Sequence, residues 1–315
     1  SHCRDVVAAV SRAGGFGVLG AVAHSPEQLE IDLAWIDAEV GGRPYGVDLL
    51  LPQKYVGAAE GGPDRDELRQ LLPPAHQAFV DDILQRFGVP DLPEGERPRG
   101  MSMNVSPAGY EPLLDIAFAH PIRLIASALG PPPADVIDRA RAANVKVAAL
   151  AGTTAHAVKH AEAGADIIVA QGSEAGGHTG EVGTMVLVPE VVDAVSPVPV
   201  LAAGGIASGR HMAAAMALGA AGIWTGSVWL TTAEAETEPV VKQKFLAATS
   251  SDTVRSRSIT GKPARMLRTP WTDEWEREDS PKPLPMPLQP LLVGAALNRI
   301  NRSATTPGSG AHELA

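Results

Sequence analysis

Short apolar runs that alternate with helix-length segments constrain this chain more than any other feature. Residues 16–20 form such a run after Gly14 and Gly15, and residues 45–51, 122–126, 145–150, 166–170, 198–202 and 222–225 are others. Short, largely apolar runs of this length read as strands buried on both faces of a parallel sheet. Helical stretches lie between them. One is capped by Ser25 and starts at Pro26 and Glu27; another follows Ser106 and Pro107 through Leu113, Ile116 and Phe118. Residues 133–143 form the next, Thr153 caps one that Gly164 ends, and Ser208 opens one that Gly219 closes. Helix and strand in strict alternation require helical crossovers between parallel strands.

A weak internal repeat supports one closed architecture. Residues 163–169 (AGADIIV) parallel 218–224 (LGAAGIW), each a helix end feeding directly into a strand. The fold expected is an α/β TIM (β/α)8 barrel. Seven strands are countable against the eight such a barrel needs, and residues 4–13 read as a helix, so the first strand is expected before Ser1. Residues 52–103 form a long insertion after the third barrel strand, rich in Pro, Gly and charge, with 74–87 as a candidate helix. It reads equally as part of the active-site face or as a surface elaboration or subunit contact, which leaves room for a homodimer. The expected division is a barrel over 1–250 and a C-terminal extension over 251–315 packed on it. Beyond Ser251 the chain reads as loop, with 281–290 too proline-rich for helix, and after about Asn301 as a flexible tail.

Composition narrows the function. With 26 Lys+Arg against 36 Asp+Glu the net charge is −10, and no basic run offers a footprint for nucleic acid or an anionic membrane. Cys3 is the only cysteine, so no internal disulfide and no Cys-pair zinc site can form. No apolar run approaches the roughly 20 residues of a membrane span, and no signal-peptide pattern opens the chain, which makes the cytoplasm the default location.

Residues 171–180 (QGSEAGGHTG) follow a strand and are rich in glycine, and His178 stands among those glycines. Gly-rich backbone at the C-terminal end of a barrel strand lets a ligand approach the main chain closely. An imidazole there, with its ordinary pKa near neutrality, suits proton abstraction or hydrogen bonding to an anionic substrate. Residues 202–210 (AAGGIASGR) leave the seventh barrel strand and Trp224, Thr225, Gly226 and Ser227 leave the eighth. Those two loops are the usual phosphate site of this fold, where backbone N–H groups and a helix N-terminus meet a dianion. Gly204 and Gly205 allow the close approach, and Thr225 or Ser227 adds a hydroxyl. His156 and His160 are a helical turn apart with no evident third ligand, so no metal is assigned.

Taken together, the 171–180 segment, AAGGIASGR, WTGS and the later TGKPAR at 260–265 resemble the nitronate monooxygenase family, formerly called 2-nitropropane dioxygenases. The resemblance runs from about Arg4 to Arg268 apart from the insertion. It implies FMN, with Gln171, Gly176 and Gly177 along the flavin and Gly204, Gly205 and Trp224 to Ser227 at its phosphate. It also implies that His178 is the catalytic histidine, that a small nitroalkane or nitronate is the substrate, and that O2 accepts the electrons. Where the family usually carries Asn, this chain has Asp48, and an ionised carboxylate cannot donate a hydrogen bond. The flavin contact there is expected to be altered, protonated or lost. The family's Pro-Met segment after the first strand has no counterpart in residues 1–4. An FMN-dependent NAD(P)H reductase of enoyl thioesters or quinones, and a non-catalytic flavin-binding barrel, are the alternatives.

Overall fold

A computed structural model describes residues 3–51, 65–92, 107–128 and 130–315. The flanks of the expected insertion, 52–64 and 93–103, lie outside the described residues, as does Ser106. The chain divides into two compact units, one of residues 1–62 and 103–236, the other of 63–102 and 237–315.

The first unit begins with α1 (Arg4–Arg12), β1 (Gly17–Gly20), α2 (Pro26–Glu39) and β2 (Tyr45–Leu49). In the second unit lie α3 (Arg65–Gln70) and α4 (Pro74–Arg86). The first then resumes with α5 (Pro107–Ala119), β3 (Leu124–Ser127), α6 (Ala134–Ala142), β4 (Lys146–Ala151), α7 (Thr154–Glu162) and β5 (Ile167–Gln171). It ends with β6 (Gly177–His178), α8 (Thr184–Val195), β7 (Val200–Ala203), α9 (Gly209–Ala217) and β8 (Gly222–Trp224). Seven strands form one sheet in the order β1-β2-β3-β4-β5-β7-β8, and every neighbouring pair is parallel. Sequential order with parallel pairing is the TIM-barrel arrangement, here a curled seven-stranded arc.

Strand parity divides the side chains cleanly. Leu19, Tyr45, Val47, Leu49, Ile125 and Val147 face outward and share a core with Leu29, Leu33 and Ile36 of α2 and Leu113 of α5. The alternate residues face inward. Leu124, Ala126, Ala148, Val169 and Ala203 form one buried cluster with Val18, Leu150, Ile167, Leu201 and Trp224. Residues from strands β1 to β8 meet in one cluster only if the sheet curls around them. Ser25, Thr153 and Ser208 cap their helices as the sequence implies, accepting from the amides of Gln28, His156 and His211. The sequence pattern does not anticipate α8. Its valines carry low helix propensity and Pro189 lies inside it, so burial of Leu187, Val188 and Val191 against β5 and β7 overrides local preference.

The second unit corrects the expectation for residues 251–315. Residues after Ser251 are not loop. They form β9 (Thr253–Ser256), antiparallel to β10 (Ala264–Leu267), then α11 (Pro270–Glu276), α12 (Leu288–Ser303) and α13 (Gly310–Leu314), following α10 (Pro239–Ala247). The prolines at 281–287 precede α12, and Pro290 falls in its first turn, where no intrahelical N–H bond is lost. Nor is the segment after Asn301 a free tail. Ala311 and Leu314 are buried in a core with Val80, Ile83 and Leu84 of α4, Trp271 and Trp275 of α11, and Val293 and Ile300 of α12. Insertion and extension therefore share one core. Arg86 of α4 ties them further, binding both carboxylate oxygens of Glu274 at 2.9 and 2.8 Å. Lys244 donates to the carbonyls of His312 and of Ala315, the latter at 2.7 Å, which holds the end of α13.

Burial of one Leu side chain contributes about 2 kcal/mol, so deleting Gly310 to Ala315 should lower the melting temperature by about 5 °C or more. Differential scanning calorimetry of the truncated chain tests this; an unchanged transition would restore the flexible tail.

Candidate active site

Parity on the barrel strands decides which side chains reach the interior at the C-terminal edge of the sheet. Gly20, Asp48, Ala126, Leu150, Gln171, Ala203 and Trp224 share the phase of the inward cluster on their strands. Asp48 and Gln171 are the two polar side chains in that ring, on strands separated by β3 and β4. Register places Gly20 and Ala126 on either side of Asp48. Neither neighbour has a polar side chain to offer, and Asp48 Oδ1 is buried with no hydrogen bond among the described residues. Burial pushes its carboxyl up to about 7.

The glycine segments pack on one another. Gln171 ends β5 opposite Ala203, and Ala203 stands opposite Trp224. A Cβ on Gly172 would strike Thr184 at the start of α8, and one on Gly180 would strike the Gly152 carbonyl. At Gly204, with φ of +108°, a Cβ would lie 2.8 Å from Thr184 Oγ1 and 3.1 Å from the Ala175 amide. At Gly205, φ +69°, it would lie 3.3 Å from Glu174 Cβ. Gly204 and Gly205 are thus required for the β5–α8 turn to seat on the β7–α9 turn, whatever else they admit. A Cβ on Gly176 would meet the Ser227 hydroxyl, which brings the first glycine segment to the WTGS turn. Around Gly226 nothing lies within 4 Å of an added Cβ, and its φ is an ordinary −129°. Thr225 Oγ1 accepts from the Trp229 indole at 3.1 Å. Gly177 has φ of +81°, and His178 beside it is exposed.

Glu174 is a site residue that its position in the sequence does not reveal. Its Oε2 accepts from the Thr184 amide and hydroxyl, both at 2.9 Å, and from Ser173 Oγ at 3.3 Å. It supplies the start of α8 with the acceptor that Gly183, the N-cap, lacks. Burial pushes its carboxyl up, but the bonds from Thr184 and Ser173 outweigh burial and hold it below the usual range. No local pattern marks this role, because donor and acceptor are ten residues apart.

Two other polar groups stand apart from this ring. His160 is buried, held to the Leu150 carbonyl at 3.1 Å, and burial pushes its imidazole down, a core histidine. Cys3, Asp5 and Glu236 bring ligand atoms within 4.8 Å of one another, but the thiol is turned to the Glu234 carbonyl at 2.9 Å. We assign no metal there.

The family model for nitronate monooxygenase matches residues 3–308. The chain belongs to the nitronate monooxygenase family. As a member it is an oxidoreductase. A Mycobacterium tuberculosis protein, "Putative monooxygenase Rv1533", is 68% identical over all of this chain and 84% of its own length. A "Probable nitronate monooxygenase" of Staphylococcus saprophyticus is 30% identical over 97% of this chain and 84% of its own. Among solved structures, the nitroalkane oxidase of Streptomyces ansochromogenes is 26% identical with a TM-score of 0.79, covering 99% of this chain and 87% of that one. FabK of Thermotoga maritima is 28% identical with a TM-score of 0.65 over 88% of this chain and 70% of that one. The family's members share the barrel whose inward ring Asp48 and Gln171 join. No helix among the described residues is long and apolar enough to cross a membrane.

Asp48 makes stability depend on pH with a definite sign. Unfolded, its carboxyl titrates at the ordinary 3.8; folded, at about 7. The folded state therefore holds a proton that the unfolded state has lost across this window, and stability falls as pH rises through it, with the full penalty present above 7. Asp48→Asn removes the penalty. Its gain in melting temperature over the parent should grow from pH 5 to pH 8, by roughly 3 kcal/mol in stability at most. A gain that does not vary with pH would show that the carboxylate is compensated.

Proposed function

We propose that this chain is an FMN-dependent oxidoreductase that oxidises alkyl nitronates, with O2 as electron acceptor. The observation that carries the reading is a ring of inward residues, small or apolar except for Asp48 and Gln171, beside three glycine turns packed into one cradle. The residues fit the group. The orphaned Oδ1 of Asp48 needs a hydrogen-bond partner that none of the described residues supplies. The open space at Gly226, near a turn lined by Thr225 and Ser227, suits a phosphate.

Each residue then has a role. Below about pH 7, where burial keeps it protonated, Asp48 acts as a donor in the place where the family usually has Asn. Gln171, with both donor and acceptor, orients the ring system from β5. Gly176, Gly177, Gly204 and Gly205 give the backbone its close approach, and Gly226 with Trp224, Thr225 and Ser227 receives the phosphate end. Bound FMN supplies the capacity to take electrons from the substrate and pass them to O2. His178, on its exposed turn, takes the α-carbon proton of a neutral nitroalkane onto its imidazole and steadies the resulting anion. An absorption spectrum of the purified protein with mass analysis of the extracted cofactor tests the cofactor. FAD, or no flavin after reconstitution with FMN, would overturn it. Stopped-flow mixing tests the reaction: reduction by NAD(P)H rather than by nitronate would replace this reading with the reductase.

Two substitutions follow. Gly226→Val should leave the melting temperature nearly unchanged, since nothing surrounds that position, while FMN affinity by fluorescence titration falls about tenfold or more. Parent-like affinity would move the phosphate elsewhere. His178→Ala should retain flavin and lose about 10²–10⁴-fold turnover on a neutral nitroalkane. Its loss should be smaller on a preformed nitronate, where no proton need be removed. Equal rates to the parent on both substrates would make His178 a bystander.

A further inference from the structure

One side chain closes the base of the loop that carries His178. Residues 173–184 follow β5, run through Gly176, Gly177 and His178, and return to the start of α8. A compact loop whose ends meet takes its shape from how its base is held. One rung of the base is backbone, the Ser173 amide donating to the Val182 carbonyl at 2.9 Å. The other is Glu174, whose Oε2 accepts from the Thr184 amide and hydroxyl, both at 2.9 Å. That hydroxyl has one hydrogen and two further acceptors in reach, the Gly204 carbonyl at 3.1 Å and the Ala203 carbonyl at 3.5 Å. The carboxylate is the nearest of the three and the one that is ionised, so the hydrogen goes to it.

The α8 side of the base has little else to hold it. Gly183, the N-cap, makes no side-chain cap. Met185 and Val186 in the first turn are 67% and 53% exposed, and burial begins only at Leu187. Apolar packing therefore does not fix this turn, whereas an anionic acceptor at its first amide does. The rest of the loop is glycine-rich backbone, with Gly177 at a φ of +81°, and such backbone is costly to order. It approaches the Ser227 hydroxyl at Gly176 and the Gly152 carbonyl at Gly180, and His178 stands between those two seats. Opening the base lets both seats shift, and His178 with them.

We propose that Glu174 is a positioning residue, which by closing this base sets where His178 meets the substrate. It acts through the loop and not on the reacting atoms. The inference rests on the role given to His178 above.

Hydrogen–deuterium exchange of the purified protein, with no substrate added, reads the base directly. Glu174→Ala should speed exchange in the first turn of α8, Thr184 included, by roughly tenfold, as loss of a cap does. Glu174→Gln keeps a carbonyl acceptor and should restore most of the protection. The His178 ring resonance in a histidine-labelled NMR spectrum, assigned by its loss in His178→Ala, should move in Glu174→Ala and return in Glu174→Gln. Turnover reads the consequence. At saturating FMN, kcat of Glu174→Ala on a neutral nitroalkane should fall roughly tenfold with KM little changed, and Glu174→Gln should recover most of it. The double variant Glu174→Ala/His178→Ala should be no slower than His178→Ala alone, since misplacing an imidazole that is absent costs nothing further. Thr184→Val removes only the hydroxyl donor and should move each readout the same way by less, which decides the matter if the alanine protein does not fold. Exchange or a His178 resonance unaltered by Glu174→Ala overturns the proposal. So does a loss of turnover that multiplies with that of His178→Ala, or one that Glu174→Gln does not relieve. A parent that oxidises no nitroalkane sinks the function proposed above instead, and exchange with the His178 resonance then decides the role of Glu174 alone.

Discussion

A parallel strand in this barrel must satisfy two different surfaces, and everything at the candidate site follows from that. Its outward residues, such as Tyr45, Val47 and Leu49 on β2, meet helices and are large. Its inward residues meet one another around the inside of the curled sheet, and on β1, β3 and β7 they shrink toward the C-terminal edge to Gly20, Ala126 and Ala203. Because the backbone groups are consumed by the ladder, chemistry at that edge can come only from the few inward side chains and from the turns that follow. Asp48 and Gln171 are those side chains. A carboxyl flanked by glycine and alanine cannot be compensated by its neighbours, so burial acts on it almost unopposed and moves its titration to about 7.

The turns obey a similar economy of space. Gly172, Gly180 and Gly204 are glycines because other turns occupy the volume a Cβ would need. Glu174 then completes the arrangement by capping α8 across the same loop. Packing among turns and room for a ligand are separate demands here. Gly204 and Gly205 meet the first in the structure itself, while Gly226 has open surroundings and is free to meet the second.

Legibility of the sequence tracked the range of the interaction involved. Caps by Ser25, Thr153 and Ser208 are set by residues three apart, and each forms as the local pattern implies. The helix over Pro74–Arg86 was likewise evident within the insertion. Where stability is supplied by distant contacts the pattern fails. Helix α8 exists despite Pro189 and its valines because β5 and β7 bury it, and α13 exists because α4 and α12 cover Ala311 and Leu314.

The sequence by itself determined the parallel α/β order, the helix caps and the positions of the glycine turns, because capping and turn signals are written in residues close along the chain, while the strand phase that turns Asp48 and Gln171 inward came from the structure. Only the tertiary structure decided that residues 74–86 and the C-terminal helices share one core, that Glu174 caps α8, and that Asp48 Oδ1 has no partner among the described residues. Each of these depends on which distant groups fill the space around a side chain, and burial of that kind leaves no periodic mark in the sequence.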